Sequence, residues 1–110
     1  MKINHFTYEK LITYVKEAVY AVSPNAKIIL FGSRSRGDYR EESDWDFLIL
    51  TDEKATEELK RKIRYRVFDV QVEQSAAISS IIYSKKEWNK LQVTPLYKSV
   101  ASDAYRYESF

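Results

Sequence analysis

Between Thr7 and Val22 apolar residues recur at three- and four-residue spacing: Tyr8, Leu11, Ile12, Val15, Ala18, Val19 and Val22. That period predicts an amphipathic helix over about residues 7–22, ended by Ser23-Pro24-Asn25. The pattern then changes. Lys27 to Phe31 carries the unbroken apolar run Ile28-Ile29-Leu30-Phe31, which predicts a strand covered on both faces. Trp45 to Leu50 predicts a second strand of the same kind, stopped by Thr51-Asp52, which also offers a cap for the next helix. From Thr56 to about Glu73 two periods overlap. Leu59, Ile63, Val67 and Val70 keep a helical face, whereas Phe68, Val70 and Val72 alternate as in a strand. A helix through about Gln74 is favoured, with a strand over residues 68–72 as the alternative. Ile78 to Tyr83 predicts the third strand. Ser84-Lys85-Lys86-Glu87 matches a capping box, with Tyr83 and Trp88 placed as its hydrophobic staple, so a short helix is expected over Lys85 to Leu91. Thr94-Pro95 opens another, with proline at the first helical position. The tail from Ser102 to Phe110 lacks a clear period; its Tyr105 and Tyr107 are expected to pack back on the sheet or to meet a partner.

Composition narrows the class. At 110 residues, 45% hydrophobic and 15% aromatic, the chain reads as a single globular domain over residues 1–110. A net charge of +2 does not favour general capture of nucleic acid, which calls for a strongly basic face. Lys60, Arg61, Lys62, Arg64 and Arg66 read first as a solvated helix side, and only second as a contact for RNA or an acidic partner. No cysteine is present, which excludes disulfide and thiol chemistry and suits a cytoplasmic location. With one histidine, His5, a zinc site and a serine–histidine hydrolase both lack their parts. There is no signal-like start and no apolar stretch long enough to span a bilayer.

The chemistry concentrates in one stretch. Both glycines of the chain lie in Gly32-Ser33-Arg34-Ser35-Arg36-Gly37, directly after the first strand. A chain so poor in glycine uses it where a side chain cannot be tolerated. Asp44-Trp45-Asp46 opens the second strand, and on a strand residues i and i+2 share a face, so the two carboxylates converge. Two carboxylates about 5 Å apart repel by roughly 3 kcal/mol at an effective dielectric of about 20. Such a pair calls for a cation, and magnesium, with its oxygen ligands and phosphate partners, is the natural one. The loop supplies the anion side: backbone N–H groups after Gly32, the Ser33 hydroxyl, and the charges of Arg34 and Arg36.

Gly32-Ser33, ten intervening residues, then Asp44-x-Asp46 resembles the signature of the DNA polymerase β-type nucleotidyltransferase superfamily. Gly-Ser-Arg-Ser-Arg-Gly followed by Ser43-Asp44-x-Asp46 is most similar to its minimal nucleotidyltransferase, antitoxin-type branch. More loosely the resemblance extends over Ser84-Lys-Lys-Glu-Trp88 and Pro95-Leu-Tyr-Lys-Ser-Val100. It implies an α+β fold, a small mixed sheet with helices packed mainly on one face. It also implies transfer of a nucleoside monophosphate, AMP first among them, from a nucleoside triphosphate to an acceptor hydroxyl. Asp44 and Asp46 would be the catalytic metal ligands in a two-metal arrangement whose second site is open. Gly32, Ser33 and Arg36 would bind the nucleotide phosphates, with Arg36 at the leaving group.

The resemblance further implies a third acid on the third strand, and the alignment puts Ser79 there. Asp69, were residues 68–72 the strand, and Glu73 are the other candidates. This departure leaves two expectations side by side: a magnesium- and ATP-dependent enzyme, or a binding module that kept the fold and the phosphate loop. The branch implies a partner, a helical HEPN-type toxin that is modified with AMP. A chain of this length is expected to lack a second wall for its substrate cleft, which that partner or a homodimer would supply.

Overall fold

The computed structural model describes the backbone of residues 5–103 and the side chains of residues 8–103. In chain order the elements are α1 (His5–Tyr20), β1 (Lys27–Phe31), α2 (Ser33–Arg36), β2 (Trp45–Thr51), α3 (Glu57–Gln74), β3 (Ile78–Ser84), α4 (Lys85–Asn89) and α5 (Pro95–Asp103). The expected strands and helices are present. The expectation for Tyr105 and Tyr107 lies outside the described residues.

The sheet runs β1-β2-β3, with β1 antiparallel and β3 parallel to β2. A parallel neighbour requires a crossover, and α3 is that crossover. β2 is central, and Phe47, Leu48 and Ile49 are fully buried. Its alternating residues face two cores. Trp45, Phe47 and Ile49 join Ile28, Leu30 and Ile82 beneath the two long helices, which contribute Leu11, Ile12, Val15 and Val19 from α1 and Ile63, Val67 and Val70 from α3. Leu48 and Leu50 join Ile29 and Phe31 on the other side, under Trp88 of α4 and Val100 of α5. The long helices thus lie on one face, as expected of an α+β chain, and the short ones close the other.

The ambiguous segment is helical throughout. Ile63, Val67 and Val70 turn inward while Phe68 and Val72 are exposed, so the strand alternative over residues 68–72 is overturned. Burial of one helical face outweighed local alternation. Thr56 caps α3 by accepting from the Leu59 N–H at 3.2 Å. The capping box at Ser84 and Glu87 forms in both directions, and those hydrogen bonds from Ser84 hold the Glu87 carboxyl below its ordinary pKa. Tyr83 and Trp88 rings meet at 5.8 Å, and Trp88 stacks on Tyr97 at 5.0 Å, which ties α4 to α5.

Because Phe47 is fully buried in the central strand, Phe47→Ala should cost about 3–5 kcal/mol of stability. Urea titration followed by far-UV circular dichroism measures it. A loss below about 1 kcal/mol would show that the larger core can collapse around the gap.

Candidate active site

Gly32 has φ 80° and ψ −161°, a region essentially reserved for glycine. The reason is spatial as well as torsional: a Cβ at this position would run into the Asp46 carboxylate. The turn leads at once into α2, a single helical turn whose Ser35 and Arg36 N–H groups both donate to the Gly32 carbonyl at 3.0 Å. Gly37 ends it with φ 92° and ψ 1°, donating its N–H to the Ser33 carbonyl at 2.9 Å. Both glycines therefore meet a backbone demand, as their placement in the sequence predicted.

Asp46 pairs with Phe31 on β1 and with Ser79 on β3, so the three form one row across the sheet. Trp45 between the two aspartates is buried against the opposite face, its backbone N–H donating to the Ala77 carbonyl at 2.8 Å. That anchor sets the start of β2, with Asp44 exposed just before it and Asp46 half-buried beside Gly32. Burial, and next the charge of Asp44, push the Asp46 carboxyl above its ordinary pKa, against the pull of Arg36. Among the described residues no group of three acidic, histidine or cysteine side chains gathers to hold a metal. The donor set is the half-buried Asp46 carboxylate, whose charge Asp44 makes costlier, beside a glycine turn and the N-terminal end of α2. Its chemistry fits a hard divalent cation whose remaining ligands come from phosphate and water.

Ser79 stands in register with Asp46 on the same face, where an acid was expected. Asp69 and Glu73 do not replace it. Both are exposed on α3, which packs on the Phe47 face, so the sheet separates them from the row that holds Asp46.

The two arginines of the loop part company. Arg36 is 46% exposed and bonds to Asp38 at 3.3 Å and Asp103 at 3.0 Å. Asp38 and Asp103 hold its pKa above the ordinary arginine value. Arg34, expected beside it at the phosphate, is instead 2% exposed. Its guanidinium lies 4.5 Å from the Tyr39 ring and 4.7 Å from the Trp45 ring. It donates through Nε and Nη2 to the Ser43 carbonyl at 3.2 and 3.0 Å, and through Nη2 to the Glu41 carbonyl at 3.1 Å. Arg34 therefore clamps the peptide that precedes Asp44. Two cation–π contacts and a fork of hydrogen bonds suit arginine and no other residue. The interleaved Tyr39 and Trp45 were the only hint of this in the sequence.

An acid whose pKa rises on folding binds more protons folded than unfolded, so stability falls as pH climbs from the ordinary carboxylate value through the raised one. Asp46→Asn should therefore melt higher than wild type at neutral pH, with the gap closing as pH drops below the ordinary value of 3.8. Thermal melts across that window, without divalent ions, measure it. Equal melting temperatures at neutral pH would mean the carboxylate carries no such cost.

Comparison with known proteins gives the chain a family. Residues 8–107 match the family described as the nucleotidyltransferase domain. Over 59 residues the chain is 48% identical to a Methanocaldococcus jannaschii protein provisionally named a protein adenylyltransferase. That match takes in 54% of this chain and 60% of the relative's length. A solved cytoplasmic RNA terminal U-transferase aligns with 94% of this chain and 33% of its own, at 15% identity and TM-score 0.47.

Proposed function

The chain belongs to the nucleotidyltransferase domain family, a family of transferases, and we propose that it moves AMP from ATP to an acceptor hydroxyl. The observation that carries this is the Asp46 carboxylate set against the glycine turn at Gly32, with Asp44 near enough to bear on its charge. In the reaction the acceptor oxygen bonds to the α-phosphorus, the bond from that phosphorus to the bridging oxygen breaks, and pyrophosphate leaves with the electron pair. Asp44 and Asp46 would hold magnesium, which neutralises developing charge and orients the phosphates when bound. Ser33 and the N–H groups at the start of α2 donate to phosphate oxygens. Arg36 offsets the charge gathering on pyrophosphate. Ser79 cannot take the acceptor's proton as a carboxylate would, so the proton passes to solvent. A missing general base typically costs 10²–10⁴-fold in rate.

The name carried by the archaeal relative supports a protein acceptor. We infer a helical HEPN-type toxin as the first partner, modified with AMP, and a second copy of this chain as the other source of a cleft wall. No helix among the described residues is long and apolar enough to cross a membrane, and a cytoplasmic place for the reaction is our reading. One observation favours a second function. Ser79 in register with Asp46 suits a binding module that holds nucleotide or a partner and turns over feebly or not at all.

Calorimetry should find ATP binding that depends on magnesium and disappears when Asp44→Asn and Asp46→Asn are combined. Equal affinity in the double variant would sink the metal assignment. Ser33→Ala, which removes one hydrogen bond to a charged group, should weaken binding by about 1.5–3 kcal/mol.

Transfer of label from α-labelled ATP to a panel of protein acceptors separates the two functions. Wild type should transfer slowly, and Ser79→Asp should raise the rate by about 10²-fold. Binding of magnesium-ATP with no transfer by either protein would leave the binding module as the function.

A further inference from the structure

Asp103 is a charged side chain at the loop that the proposed reaction leaves without a role. It lies at the C-terminal end of α5 and is only 7% exposed. Its Oδ2 accepts from the Gly32 N–H at 3.0 Å and from Arg36 Nη1 at 3.0 Å. Its backbone carbonyl accepts from the hydroxyl of buried Ser35. Three bonds from one residue thus reach the turn, the middle and the end of α2. A helix of a single turn has little stability of its own, so its orientation comes from such ties.

The two carboxylates on Arg36 differ in kind. Asp38 is 64% exposed and sits two residues away in the same loop, so its bond ties Arg36 to that loop and not to the sheet. Asp103 belongs to another element. α5 is held by Val100 in the smaller core and by the stack of Tyr97 on Trp88. A nearly buried carboxylate needs its charge partner and its N–H donor, and both here come from the loop. Arg36 remains 46% exposed while bound to Asp103, so an arriving phosphate can reach the guanidinium without breaking that bond.

We propose that Asp103 is a positioning residue for the nucleoside triphosphate: it fixes the Gly32 peptide and aims the Arg36 guanidinium, in the frame of the sheet, at the departing pyrophosphate. The inference rests on the nucleotide-binding reading of this site. Its opposite is a carboxylate that occupies donors the phosphate needs and must be displaced on binding.

Asp103→Asn decides between them. It keeps a carbonyl oxygen for the Gly32 N–H and removes the charge that Arg36 meets. Calorimetry with magnesium-ATP should show a Kd raised about tenfold, the size of one charge-assisted hydrogen bond. In an Arg36→Gln background the same change should add little, because Asp103 acts through Arg36. Tighter binding, unchanged binding, or an equal loss in both backgrounds would overturn the proposal. A second measurement needs no variant. The chain has two glycines, so the Gly32 amide is readily assigned by NMR. It should stay protected from hydrogen exchange when magnesium-ATP is added; loss of protection would mean that phosphate displaces Asp103, and the proposal would fall. If wild type binds no nucleotide, the reading of the site falls and this role with it. If wild type binds and Asp103→Asn matches it, only the positioning role falls.

Discussion

At Gly32 the chain passes so close to Asp46 that the carboxylate occupies the place of a Cβ. β1 and β2 are paired up to Phe31 and Asp46, so the loop leaving β1 must turn directly over the first charged residue facing that side of β2. Only a residue without a side chain, with φ at 80°, makes that turn. The start of α2, the placement of Ser33 and the direction of Arg36 all depend on it. The same contact half-buries Asp46 and so raises the cost of its charge. Proximity of loop and carboxylate, which a metal–phosphate site requires, is thus also what destabilises the site when nothing is bound.

That cost is met by bonds that aim elsewhere. Arg34 points away from the carboxylates into a slot between Tyr39 and Trp45 and grips the carbonyls of Glu41 and Ser43. Its Nη1 has no hydrogen-bond acceptor among the described residues, and the two ring faces stand in for one. Arg34 holds the long connection from α2 to β2 together with the packing of Tyr39 on Tyr8 and the bond from the Arg40 N–H to the Ser43 hydroxyl, and Asp44 comes directly after its grip. Two arginines that share a hexapeptide therefore do unlike things, one half-exposed and paired with Asp38 and Asp103, the other serving as internal scaffold.

Much of this was legible in the sequence. The unbroken apolar runs of β1 and β2 announced cover on both faces, and the two cores supply it. The glycine hexapeptide and the Asp-x-Asp spacing pointed to a loop close to a carboxylate, which Asp46 supplies, and the family resemblance put Ser79 at the expected acid's position, where it stands in register with Asp46. What was not legible depends on partners distant in the chain. Asp69 looked like a candidate acid because Phe68, Val70 and Val72 alternate, and only packing of Ile63, Val67 and Val70 under the sheet turned it outward. Arg34 and Arg36 are equivalent in composition, and aromatic rings further along the chain decide which is buried. Asp103 stands at the end of a helix with no motif around it, so nothing local marks its bond to the loop.

Sequence distance sets an order among these contacts. The pairing of Phe31 with Asp46 joins neighbouring segments of chain, whereas the bond from Asp103 to Gly32 closes across 71 residues. Closing a longer loop forfeits more chain entropy, and contacts so far apart form late. The antiparallel pair can thus assemble with its repelling carboxylates already side by side, before the end of α5 arrives to lock the turn above them. The helix that locks the turn also carries Val100 into the smaller core, so loosening α5 would unfasten the loop and uncover that face of the sheet together.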